Sequence, residues 1–278
     1  MTKEVVLVIG LGEIGLPTYE LLKESGRFTV YGLDIDEKKM REIGQSSANL
    51  PKKTDILHIC ILCSDDAKFV KTVADYVKRF APKLVIINST VSPGATMKVH
   101  AQAGDCLVAH SPVRGVHESR EHMKWEMNRW TRYIGGVNAA SAEAARKHFE
   151  ALGLKTKVLK SSLETELAKL FETTYRAWMI ACFQEMHRIS RHFGADFVDV
   201  VDFIEDTHRV RHDRPVMFPG VIGGHCLIPN AKLLLKDFDS AFIRLLLESN
   251  EERKEEAKNP DIMREIERLK KQEETASV

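Results

Sequence analysis

The chain opens with five consecutive apolar residues, Val5 to Ile9. Successive side chains of a strand point to opposite faces, so a run without polar alternation predicts a strand buried on both sides. A glycine-rich turn follows, then a helical stretch from about Leu16 to Glu24 and a second strand from Phe28 to Leu33. Ile56 to Leu62 and Leu84 to Ile87 are further apolar runs with helical patterns between them, and Leu107 to Ala109 and Arg132 to Gly135 complete the series. Strands alternating with helices predict an α/β fold with a doubly wound, mainly parallel sheet and right-handed crossovers, here over residues 1–160.

Beyond Ser161 the alternation stops. Leu163 to His192 contains neither proline nor glycine and predicts one long helix, with Leu167, Leu170, Phe171, Thr174 and Trp178 at helical spacing. That stripe suits a core or a dimer interface better than a ligand site. Gly194 fits the left-handed position after a helix. A helix over Phe197 to Glu205, a loop over Asp206 to Pro229 and a helix over Ala231 to Leu247 follow, giving an all-helical domain over 161–247. Residues 248–278 are dense in Glu, Lys and Arg and show no apolar stripe wide enough to bury, as in a solvated helix or frayed tail.

Lys and Arg number 41 against 40 Asp and Glu, a net charge of +1 that argues against a nucleic-acid partner. Five irregularly spaced cysteines make no disulfide framework, and neither a signal peptide nor a membrane-spanning run is present. A cytoplasmic protein without a membrane partner is expected. Cys60 and Cys63 form a C-x-x-C, but within an apolar run read as a strand they point to opposite faces and act as core thiols. His110, His117, His122 and His225, even with Cys226, lack the tight spacing of a metal site, so none is expected.

Gly10-Leu11-Gly12-Glu13-Ile14-Gly15 follows a buried strand and opens a helix, the context in which G-x-G-x-x-G binds a dinucleotide. Gly10 permits the tight turn, Gly12 admits the pyrophosphate and Gly15 lets helix and strand approach. Glu13 and Ile14 lie within that turn, and Ser89 and Thr90, at a later strand end, join the expected cofactor contacts. Asp34 ends the second strand, where a carboxylate accepts from a ribose 2′-hydroxyl and repels a 2′-phosphate. NAD is therefore expected rather than NADP, with Asp36 the second candidate for this role.

Three further segments narrow the reading: Asn88-Ser89-Thr90-Val91-Ser92-Pro93-Gly94-Ala95-Thr96, Glu166-Leu167-Ala168-Lys169-Leu170-Phe171-Glu172-Thr173, and Pro219 to Asn230 with its Gly223-Gly224-His225-Cys226 core. With the glycine turn and Asp34 they make the chain resemble the UDP-glucose/GDP-mannose dehydrogenase family over about residues 4 to 240. The resemblance implies oxidation of a nucleotide-sugar C6 alcohol to a carboxylate with two NAD, and a homodimer built on the long helix, 163–192. It implies Cys226 as the nucleophile that forms a thiohemiacetal and then a thioester, Lys169 as the oxyanion-stabilising cation, and Thr90 as a residue that places a catalytic water. A helix N-terminus favours the thiolate. Glu166 lies on the same face as Lys169.

Thr173 and Asn230 stand at catalytic positions where the resembled family has asparagine and aspartate, and Val113 stands where it has a glutamate base. The family's third, nucleotide-holding domain is not expected within these residues. His110, Arg114, Glu166 and His225 are the remaining candidate substrate contacts; histidine can act as a base and arginine can clamp an anion. Two alternatives stay open: a dehydrogenase of a smaller sugar or hydroxy acid, and a catalytically degenerate NAD-binding regulatory or partner subunit.

Overall fold

The computed structural model of the chain describes residues 3–115 and 118–276, which leaves the candidate His117 outside the described residues. Two compact units divide it, Met1–Lys169 and Leu170–Val278, so the division falls inside the long helix.

The first unit contains β1 (Val5–Ile9), α1 (Gly15–Glu24), β2 (Thr29–Leu33), α2 (Glu37–Glu42), β3 (Ile56–Ile59), α3 (Asp66–Phe80), β4 (Leu84–Ile87), α4 (Ala95–Gln102), β5 (Leu107–His110), α5 (Arg120–Arg129), β6 (Arg132–Gly136), α6 (Ala139–Ala151), β7 (Thr156–Val158) and the first turns of α7 (Ser162–His192). The strands line up β2-β1-β3-β4-β5-β6-β7. All pairs are parallel except β5 with β6. The chain leaves β1 toward one edge for β2 and returns to the other side for β3, which puts a topological switch point between β1 and β3. β1, β3 and β4 are buried almost throughout and apolar apart from His58, as a sheet covered on both faces requires.

Two expectations change here. β3 ends at Ile59, so Cys60 and Cys63 lie in the following loop rather than on opposite faces of a strand. Leu62, between them, is 84% exposed, and Ser89 Oγ donates to the Ile61 carbonyl at 2.6 Å, turning the chain away from the sheet. β7 has no sequence signal, being three residues held by pairing with β6.

The second unit contains the rest of α7, α8 (Phe197–Arg211), α9 (Leu227–Asp237), α10 (Ala241–Glu256) and α11 (Pro260–Ala276). α8 runs past Glu205 to a left-handed His212. The helix expected over Ala231 to Leu247 is two helices: Phe238 is extended, and Ser240 caps α10 by accepting from the Ile243 N–H. The stripe expected on α7 divides, with Leu170 and Thr174 buried and Phe171 half exposed.

The charged C-terminal stretch is α11, and it buries Ile266 and Leu269; Leu269 packs with Phe183, Phe197, Val198 and Val201. Its charges are used in docking, since Glu265 meets His187 and Arg191 of α7. The same helix face of α7 meets α10, where a wholly buried Arg253 donates to the Gln184 carbonyl at 2.8 Å and to His187 Nδ1 at 3.2 Å. Among the described residues no helix is long and apolar enough to cross a membrane.

Ile266→Ala is expected to lower stability by about 2–4 kcal/mol through the cavity it leaves. Arg264→Ala, on the outer face of α11, should change it little; urea unfolding midpoints of both variants check this.

Candidate functional site

The glycine turn sits at the switch point. Gly10 has φ +87°, and a Cβ there would come within 2.6 Å of the Cys60 carbonyl oxygen. A Cβ on Gly15 would lie 1.6 Å from the Gly10 carbonyl oxygen, so α1 can start this close to β1 only without a side chain. A Cβ on Gly12 would meet nothing within 4 Å. The turn is therefore tight where backbone meets backbone and open where a ligand would lie. No side-chain cap covers the first turn of α1. Uncapped N–H groups and the positive end of a helix suit a pyrophosphate. Glu13 is exposed and Ile14 half-buried beside the turn.

Asp34 reaches the same turn. One carboxylate oxygen accepts from the Leu11 N–H at 2.6 Å, the other from Asp36 N–H at 2.9 Å, and Lys39 lies 3.6 Å away. Asp36, the second candidate, is committed to capping α2 by accepting from the Lys38 N–H. These residues fit the ribose and pyrophosphate of a dinucleotide.

The loop after β4 carries Ser89 and Thr90. Ser89 is buried, its hydroxyl on the Ile61 carbonyl, while Thr90 is half-buried, the most open position between Asn88 and Ser92. His110, expected to contact substrate, is instead fully buried and holds this loop to α7. A carbonyl can only accept, so Nε2 donates to Ser89 O at 3.0 Å, while Nδ1 lies 2.8 Å from the Thr165 hydroxyl, which also meets the Ser162 carbonyl at 2.8 Å. Burial, then the nearby charges of Arg132 and Lys169, push its pKa down to about 4, so it is no base at neutral pH. Glu166, also expected at the substrate, is 0% exposed and accepts from the N–H groups of Gly94 at 2.6 Å and Thr96 at 2.9 Å. Arg114 donates to the Thr131 carbonyl and lies over the rings of Trp130 and Tyr133. Val113 packs with Met123 and Met127, an apolar place in which a carboxylate would go unsolvated. Lys169 is half-buried, one turn of α7 beyond Glu166.

In the second unit Cys226 is half-buried at the N-cap of α9, preceded by the exposed His225 and a left-handed Gly224. Thr173 and Asn230 are bonded to each other, Asn230 Nδ2 donating to Thr173 Oγ1 at 3.0 Å. Two of the three amino-acid departures noted above thus form one contact.

A buried polar network escaped notice in the sequence. Arg132, at the start of β6, donates to Asn88 Oδ1 at 2.9 Å; Asn88 meets His58 Nδ1 at 3.1 Å, and His58 Nε2 lies 2.9 Å from His148 Nε2. A polar residue opening a strand was the only signal. Burial raises the Cys60 thiol to about 12, which makes it a packing group. Among the described residues no three His, Cys, Asp or Glu side chains are placed to hold a metal ion.

A glycine turn at the switch point of such a sheet, continued by a long helix into an all-helical unit, defines a Rossmann-type dehydrogenase fold. 3-Hydroxyisobutyrate dehydrogenase of Mycobacterium tuberculosis shares that fold with TM-score 0.67 at 17% identity, over 96% of this chain and 99% of that one. The UDP-D-ManNAc dehydrogenase structure from Pyrococcus horikoshii gives TM-score 0.73 at 26% identity, over 89% of this chain and 68% of that one. The central domain of the UDP-glucose/GDP-mannose dehydrogenase family matches residues 163–252. The UDP-N-acetyl-D-mannosamine dehydrogenase of Methanocaldococcus jannaschii is 31% identical over 259 residues, 80% of this chain and 59% of that protein. That of Methanococcus vannielii is 31% identical over 283 residues, 88% of this chain and 65% of that protein. The chain is thus similar to the UDP-glucose/GDP-mannose dehydrogenase family, whose central domain its residues 163–252 match, and it spans 59–65% of the length of these two relatives.

The buried histidines give the first unit an acid sensitivity. An unfolded imidazole protonates near 6.5, whereas burial lowers His110 and His148 to about 4 and His58 well below its usual value. Between those values the unfolded chain binds more protons, so stability is full above pH 6.5 and falls as pH drops toward 4, by about 1.4 kcal/mol per pH unit per histidine. Thermal unfolding from pH 7 to 4 should show this slope, and His110→Gln should flatten it while lowering stability at pH 7.

Proposed function

We propose that this chain is an NAD-dependent oxidoreductase of the nucleotide-sugar 6-dehydrogenase type. The observation that carries the reading is the glycine turn, sterically closed at Gly10 and Gly15 and open at Gly12, in a chain similar to this family. Gly10, Gly12, Glu13, Ile14 and Gly15 would hold the pyrophosphate, Asp34 the adenosine ribose, and Ser89 and Thr90 the far end. NAD, when bound, supplies a two-electron hydride acceptor, and conversion of an alcohol to a carboxylate uses two. UDP-N-acetyl-D-mannosamine, named for the relatives, is the first substrate to try.

In this reading the Cys226 thiolate adds to the aldehyde carbon left by the first oxidation. The carbonyl oxygen takes a proton and a thiohemiacetal results. Removal of a second hydride from that carbon, with loss of the hydroxyl proton to solvent, leaves a thioester; water adds, the C–S bond breaks, two protons pass to solvent, and thiolate and carboxylate part. Lys169 stabilises the oxyanions and Thr90 orients the water. The position at the start of α9 favours the thiolate.

The Asn230–Thr173 contact and the buried Val113 support a second reading. An amide exchanges no proton at neutral pH, and the hydrolytic half lacks its carboxylates. The chain would then oxidise a smaller sugar or hydroxy acid once, without hydrolysis, or bind NAD as a regulatory or partner subunit. Thermal shift with NADH counting separates these outcomes. Two NADH per sugar mark the full reaction and one marks a single oxidation. Stabilisation by NAD without NADH from any candidate marks the non-catalytic subunit. Under the full mechanism Cys226→Ser should cut the yield from two NADH to at most one.

The same reading includes a homodimer through α7. Its solvent-facing residues Phe171, Tyr175, Cys182, Met186 and Ile189, with half-buried Trp178 and, just past its end, the exposed Phe193, form a stripe symmetric about Cys182: Phe171 matches Phe193, Tyr175 matches Ile189 and Trp178 matches Met186. A two-fold interface needs such self-complementarity. Two α7 helices crossing antiparallel at Cys182, with axes about 8–10 Å apart and Cα atoms about 2.3 Å from each axis, bring the two Cys182 Cα atoms within reach of a disulfide. Mild oxidation should give a covalent dimer that Cys182→Ser abolishes, and Met186→Asp should yield monomers in sedimentation; a wild-type monomer at micromolar concentration would overturn the dimer.

A further inference from the structure

We propose that Glu166 is a positioning residue that fixes the Thr90 loop to the helix carrying Lys169. Three observations carry this. Both oxygens of a fully buried carboxylate are spent on the loop's far end, one on the Gly94 N–H at 2.6 Å and the other on the Thr96 N–H at 2.9 Å. Those N–H groups open α4, whose N-cap, Gly94, is left-handed and supplies no side-chain cap, so Glu166 does the capping from 70 residues away. The near end of the loop is tied to the same turn of α7 through Thr165, His110 and the Ser89 carbonyl.

Thr90 lies between the two ties, and its loop is fixed from a third side where Ser92 Oγ donates to Asp66 at 2.7 Å. Glu166 precedes Lys169 by one helical turn. Any shift of the loop relative to α7 must break a charge-assisted hydrogen bond inside the protein, which is costly. Thr90 and Lys169 are therefore held in register by a carboxylate that touches neither substrate nor cofactor. A glutamine there keeps the shape but turns an NH2 toward one of two backbone donors, so it can satisfy only one of them.

The functional part of this inference rests on the dehydrogenase reading above; the structural part does not. The test compares wild type with Glu166→Gln and Glu166→Ala in NAD titration, steady-state turnover with UDP-N-acetyl-D-mannosamine, and amide hydrogen exchange. The expected result for Glu166→Gln is a kcat lowered about 10–100-fold, as a displacement of about 1 Å of a placed group can cost. KM and the NAD dissociation constant should stay within about twofold. The Gly94 and Thr96 amides should exchange faster while those of β4 are unchanged. Glu166→Ala should deepen the same pattern. Unaltered kcat in Glu166→Gln, or losses in NAD binding, KM and kcat that all track a lower Tm, would overturn the positioning role. If wild type turns over no sugar, the dehydrogenase reading fails separately. The exchange arm then decides alone: Gly94 and Thr96 amides as unprotected in wild type as in Glu166→Ala overturn the tie, and selective protection in wild type supports it.

Discussion

At the switch point of the sheet, backbone packs against backbone with no room for a carbon atom between. The Gly10 carbonyl, the start of α1 at Gly15 and the Cys60 carbonyl occupy one crowded volume. Everything the first unit offers a ligand follows from this closeness. Because Gly15 lets α1 begin so near the end of β1, the start of that helix stands at the switch point between β1 and β3. The second strand then ends within reach of the same turn, and Asp34 closes it by accepting from Leu11. The space left open beside Gly12 is what remains after these constraints are met.

Around that crevice the polar groups are used to hold backbone in place more than to meet a ligand. His110 and Glu166 look like chemistry in the sequence and act as internal ties in the fold. His58, His148, Asn88 and Arg132 do the same one layer deeper. Burying such groups is costly unless they are paired, and the pairs they make favour one arrangement of the strand ends, although His148 Nδ1 and Arg132 Nε are buried without a hydrogen bond. Thr90 is half-buried between the buried Ser89 and Val91.

How much of this was legible in the sequence depended on range. The glycine turn, the acid ending β2, most of the strands and the long helix were legible because each is set by residues close together in the chain. β7 was not, since three residues become a strand only through their neighbour. The break between α9 and α10 was missed because a capping serine, Ser240, sits in an otherwise continuous helical pattern. The docking of α11 was hidden by its charge: a narrow stripe, ending in Ile266 and Leu269, is enough when Glu265 has cations waiting on α7. The functions of His110 and Glu166 depend on partners 55 residues and 70 or 72 residues away, and residue type alone cannot report that. The contact between Thr173 and Asn230 was likewise invisible, although both positions had been singled out.

The environments of the five thiols sort them into two chemical populations. Cys60 and Cys106, with protons held to about 12 and about 11 by burial, and the buried Cys63 are poor nucleophiles toward alkylating reagents. Cys182 is exposed, and Cys226 is half-buried at a helix start. A maleimide or a peroxide therefore meets a protein that behaves as though it had two cysteines, one on the solvent face of α7 and one in the glycine loop. Labels, spin probes or oxidants can be directed to either by blocking the other, without removing any of the thiols that build the core.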